Sequence, residues 1–173
     1  MQVVGNRTIK TIGAGAPGEL VRVSNGEAGS LGIIAAKRED DVFVALLEDP
    51  YEGHPRLLLL DNDDKCLSYG VDWCLHPVEG AEAYPYHHEV NRRSGLLALK
   101  GEQWFMSVAS SGVDALGRFS IEWVNLTNPG QGNDGLRGSA FFAKWNIWLN
   151  GERGNPHASP LFQFEAKPRQ PRT

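Results

Sequence analysis

An all-β fold is what this sequence predicts, and three observations predict it. Apolar residues fall in short runs of four to six positions, many of them alternating with polar ones, as a half-buried strand requires. Twenty glycines and ten prolines punctuate those runs, which suits many strands joined by tight turns. No window longer than about ten residues shows the i, i+3, i+4 stripe of an amphipathic helix.

In chain order, Arg7–Ile12 reads as a strand by its Thr and Ile content, and GAGAPGE after it as a turn-rich break. Glu19–Ser24 is a second strand. Ile33–Ala36 and Val42–Leu47 form a pair around the polar turn Arg38–Asp41, and Leu57–Leu60 is a short apolar strand before another polar turn, Asp61–Lys65. Cys66–Leu75 is strand-like but broken by Gly70. His76–Arg93 has the least regular pattern. Leu96–Leu99, Trp104–Ala109 and Phe119–Leu126 follow as strands, then a glycine-rich loop, Asn128–Gly138. Ala140–Ala143, Trp145–Leu149 and Leu161–Glu165 complete the set. Residues 1–166 form one expected β domain, since a chain of this length supports a single sizeable core. The basic, proline-rich end Lys167–Thr173 (KPRQPRT) is expected to be a flexible tail.

Three stretches share a pattern of small residue, four apolar positions, lysine, turn and renewed apolar run. They are SLGIIAAKREDDVFVALL from Ser30, SGLLALKGEQWFMSVA from Ser94 and GSAFFAKWNIWLN from Gly138. A further apolar-x-apolar strand follows each lysine at 20, 19 and 18 residues, beginning at Leu57, Phe119 and Phe162. Three quasi-repeats of this kind resemble a β-trefoil, notably its fascin-like and ricin-like members. That resemblance implies a six-stranded barrel capped by three hairpins. An antiparallel sandwich or jelly roll is the alternative. The intervals are unequal, with 63 residues from Lys37 to Lys100 and 44 from Lys100 to Lys144. On the repeat reading, the surplus is an insertion within Asp61–Arg93, and loops held by a rigid frame are where binding groups tend to sit.

Motifs for chemistry are sparse. Gly13–Gly18 matches G-x-G-x-x-G letter by letter, yet a strand rather than a helix follows it and Pro17 has no amide to donate, so it reads as a turn. Asp61–Lys65 resembles the start of a calcium loop but has Cys66 where glycine belongs and Asp72 where glutamate belongs, so it reads as a solvated turn. His87 and His88 are adjacent, so on a strand they face opposite ways, and no metal site or cofactor is assigned. A net charge of −4 argues against nucleic acid, and no apolar run is long enough for a membrane helix. The N-terminus lacks a signal-peptide pattern. Cytoplasmic location with Cys66 and Cys74 reduced is the expectation, although a hairpin about Gly70 would let the two bridge.

Aromatics carry the functional signal. Alternation along Trp145–Leu149 places Asn146 and Trp148 on one face, and a tryptophan beside amide donors is the composition of a sugar platform. Trp73, Tyr84 and Tyr86, with His87, form a second group in the irregular segment. The sequence thus predicts a non-catalytic module that binds a carbohydrate or protein ligand through Trp73, Tyr84, Tyr86, His87, Asn146 and Trp148. Two other classes stand beside it: a small metal-dependent hydrolase using His87 or His88, and an assembly subunit whose exposed aromatics make a homo-oligomer contact.

Overall fold

The computed structural model describes residues 7–25, 28–48, 54–80, 82–83, 93–113, 119–131, 135–149 and 158–166. Among these there are fourteen strands and no α-helix. The first six are β1 (Thr8–Thr11), β2 (Leu20–Asn25), β3 (Ala28–Arg38), β4 (Asp41–Leu46), β5 (Arg56–Asp61) and β6 (Lys65–Gly70). After β7 (Trp73–Pro77) and β8 (Glu82–Ala83) come β9 (Leu97–Lys100), β10 (Gln103–Val113), β11 (Phe119–Asn125) and β12 (Ala140–Phe142). The chain ends in β13 (Lys144–Leu149) and β14 (Phe162–Glu165). Eleven strands make one sheet, ordered β1-β6-β2-β3-β4-β5-β10-β9-β12-β8 with β11 beside β10, and three make a second, β14-β13-β7. Pairing is antiparallel except where Ala109 of β10 meets Arg56 of β5.

The first half of the large sheet has to curl. β6 and β5 stand at opposite ends of the run β6-β2-β3-β4-β5, about 19 Å apart if that run were flat. Yet the chain passes from one to the other in a tight turn closed by the Asp64 amide on the Asp61 carbonyl at 3.0 Å, which leaves those ends within about 7 Å. Irregularities in register at Leu20–Val21 and at Ile34–Ala36 supply the bend. The curl encloses its own core of Val21, Val23, Ile34, Val42, Val44, Leu46 and Cys66, and Ile12, fully buried, plugs it. Ile12 sits in a short 3-10 turn whose amide bonds the Asp64 carbonyl at 2.7 Å, lashing that plug to the closing turn.

A second core lies between the sheets. Leu20, Leu31, Ile33 and Ala45 from the curled half meet Leu97, Met106 and Val108 from the other half, and Trp145 and Ile147 from the small sheet. Trp145 is fully buried, and its indole N–H donates to the Gly95 carbonyl at 2.8 Å. Its ring stacks on Phe164 at 5.1 Å and tilts against Phe162 at 5.6 Å. Gly95 is the residue the site demands: its φ is +83°, and a Cβ there would lie 2.1 Å from the Phe164 ring.

The threefold repeat is not confirmed. Its first two copies are meanders, β3-β4-β5 and β9-β10-β11, with Lys37 and Lys100 near the end of each first strand. In the third, β12 belongs to the large sheet and β13 to the small one, so Lys144 marks a crossing between sheets. The segment expected to be a loop insertion, Asp61–Arg93, is structural where it is described. It supplies β6 between β1 and β2, then β7 at one edge of the small sheet, then β8 beside β12. Within it the chain passes from the large sheet to the small one between β6 and β7.

Candidate functional site

Alternation on the small sheet separates an inner face from an outer one, and cross-strand register extends the division to all three strands. Trp145 opposes Phe164 and Pro77, Ile147 opposes Phe162 and Leu75, and Leu149 opposes Trp73; these positions form the inner face, against the core. Asn146 opposes His76 and Gln163, Trp148 opposes Cys74, and Lys144 opposes Glu165; these form the outer face. Strand spacing and rise give that face a platform of about 10 by 14 Å. Lys144 and Glu165 close one end as an ion pair of 2.8 Å. Trp148, Asn146, His76 and Cys74 are half-buried and Gln163 is exposed. Among the described residues, the side-chain nitrogens and oxygens of His76, Asn146, Trp148 and Gln163 have no hydrogen-bond partner, and none of them is sealed from solvent. A flat indole is thus set beside two carboxamides and an imidazole that have no hydrogen-bond partner among the described residues.

A second feature is an open cleft of about 380 Å³, lined in part by Trp73, Leu75, Trp104 and Leu126, which also pack against the inter-sheet core. Trp73 and Leu75 of β7 line one wall, and Trp104 of β10 with Leu126 the other. Pro17 and Pro129 also line it, and Val71, 65% exposed, stands at the mouth. The polar groups of this cleft are largely consumed internally. The Trp73 indole N–H donates to the Gly18 carbonyl at 3.0 Å, and Thr127 Oγ1 accepts the Trp104 amide at 2.9 Å.

No protein-family model matches this chain, and no curated protein or solved structure matches it. What the site can do rests on its own chemistry.

The two groups of expected site residues fare differently. Asn146 and Trp148 share the outer face, as alternation predicts, while Trp73 faces the other way, into the cleft. Tyr84, Tyr86 and His87 lie outside the described residues, as does His88. Sequence reading missed His76 and Gln163, because only the register of three strands distant in the chain brings them beside Asn146. It missed Trp104 as a partner of Trp73 for the same reason.

The other motifs resolve into structure. In Gly13–Gly18, strand β2 follows directly, the Gly13 carbonyl accepts the Lys37 ammonium, and the Gly15 carbonyl accepts it at 3.2 Å. The segment is a turn held by a lysine. Asp61–Lys65 is the turn that closes the curl, and Asn62 Nδ2 donates there to the Glu39 carbonyl at 2.9 Å. Both cysteines are free: Cys66 lies in the curled core and Cys74 on the outer face of the small sheet. The chain does turn at Gly70, φ +76°, but from one sheet to the other, so the two strands never pair. Burial pushes the Cys66 thiol pKa up, the Glu19 carboxylate adds to this, and Lys10 opposes it. Among the described residues no group of three or more His, Cys, Asp or Glu is placed to hold a metal, and no helix is long and apolar enough to cross a membrane.

Proposed function

We propose that this protein is a non-catalytic binding module whose ligand is a carbohydrate, seated on the outer face of the small sheet. The observation that carries the reading is the row His76–Asn146–Gln163 beside Trp148. A pyranose presents an apolar face of C–H groups and a rim of hydroxyls, and an indole flanked by amides and an imidazole complements both. Rigid strands hold the row, so little ordering cost falls on binding. The layering of two sheets over a shared core supports a sandwich-like architecture over a trefoil.

A glycan array probed with the purified protein tests the proposal, with Trp148→Ala and Asn146→Ala as paired variants. Binding to a family of related glycans that Trp148→Ala weakens by at least about tenfold, the loss of a stacking contact worth about 1.5 kcal/mol, is the expected result. Absence of binding across the array, combined with a dimer in solution that Trp148→Ala dissociates, would move the face to the assembly-subunit reading.

A further inference from the structure

Given that the outer face of the small sheet binds carbohydrate, we propose that it takes one neutral sugar ring, the terminal or pendant unit of a glycan, and neither a run of chain nor an acidic sugar. The position of the polar row relative to the indole carries this. Cross-strand register puts His76 of β7, Asn146 of β13 and Gln163 of β14 side by side. The row crosses three strands, about 10 Å in all, and Trp148 stands two residues along the middle strand, about 7 Å from Asn146. A ring stacked on the indole thus turns one edge towards the row, with Asn146 ahead of it and His76 and Gln163 on either side. Beyond the row, Lys144 and Glu165 pair at 2.8 Å.

The size of the bound unit follows from the aromatic content of the face. Among the described residues Trp148 is its one aromatic side chain, since Trp73, Trp145, Phe162 and Phe164 pack on the core side. A single indole stacks on a single ring, so the next sugar of a chain would find no second ring to lie on. The charge of the unit follows from the donor set. Each carboxamide both donates and accepts, as a hydroxyl does, so a sugar rim satisfies both halves of Asn146 and of Gln163. A carboxylate or sulfate only accepts, and would leave both amide oxygens without a donor. The ammonium that would attract such a group, Lys144, is already held by Glu165.

NMR titration of the intact chain tests the proposal. The probes are methyl glycosides of the common neutral hexoses and N-acetylhexosamines, linear oligomers of each, and their uronic-acid and sulfated counterparts. At least one neutral methyl glycoside is expected to bind, and its oligomers to bind within about threefold of it. Its acidic counterparts are expected to bind at least about tenfold more weakly, and the neutral ligand to bind equally at low and high salt. His76→Ala and Gln163→Ala remove side chains outside both hydrophobic cores, and each is expected to weaken the glycoside about fivefold with little change in melting temperature. Affinity that climbs more than about tenfold from monosaccharide to oligomer overturns the proposal while leaving a glycan ligand in place. So does a preference for acidic sugars that salt abolishes, or full binding by both variants. Binding to no glycan at all overturns the carbohydrate reading along with it.

Discussion

Trp145 and Trp148 stand three residues apart on one strand and meet opposite fates. Trp145 is fully buried, its N–H bonded to Gly95 and its ring sandwiched with Phe162 and Phe164. Trp148 is half-buried, and among the described residues its N–H has no partner. Strand periodicity alone assigns the two to different faces, and the assignment separates what holds the protein together from what it can offer to a ligand. The two cysteines repeat the contrast on a smaller scale, one inside the curled core and one on the outer face.

The largest expected effect comes from breaking the inner member. Trp145→Ala is expected to destabilise by about 3–5 kcal/mol, as large aromatic truncations in cores do, measured by chemical denaturation. Gly95→Ala attacks the same contact from the other side, costing about 1–3 kcal/mol for its left-handed backbone alone, before the clash with Phe164. A Gly95→Ala protein as stable as the wild type would contradict the described packing of Trp145.

Next in size is an ionic group of the curled half. Burial works against the Glu19 carboxylate, but the Lys10 ammonium, the Ala16 backbone and the Ser68 hydroxyl outweigh it and hold its pKa below the ordinary carboxylate range. A carboxylate with a depressed folded pKa stabilises above its unfolded pKa, and that contribution is lost as pH falls through the folded value. Stability should therefore decline below about pH 4. Glu19→Gln should cost about 1–2 kcal/mol near neutral pH and flatten the acid limb, as urea midpoints across pH would record. An acid limb of unchanged slope would show that other carboxylates account for it.

The outer face predicts small effects on stability. Trp148→Ala is expected to change it by less than about 1 kcal/mol, since the side chain is no part of either core. Smallest of all is chemical accessibility. A maleimide should label Cys74 in the native protein and leave Cys66 untouched until unfolding, because the Cys66 thiol is buried and its pKa is raised. Mass spectrometry of the labelled peptides distinguishes the two.

Local order was legible in the sequence to within a few residues. Leu57–Leu60 became β5, Trp145–Leu149 became β13 and Phe119–Leu126 became β11, because alternation and turn residues are short-range signals. Pairing was not. Nothing between Phe142 and Lys144 announces that the chain leaves one sheet for another, and the repeat drawn through Lys144 assumed that it stayed. Cys66–Leu75 reads as strand-like and broken at Gly70, but the break does not say where the next strand goes. The candidate site followed the same rule: Asn146 and Trp148 were readable from one strand, while His76 and Gln163 depend on register with strands about 70 residues before and about 20 after.

The most direct test of the account is glycan binding measured side by side for the wild type and Trp148→Ala, both shown folded by their melting temperatures. The account predicts saturable binding by the wild type, and a loss of at least about tenfold in a variant that melts within a few degrees of it. Equal binding by the two proteins, or a Trp148→Ala chain that unfolds as Trp145→Ala should, would contradict it.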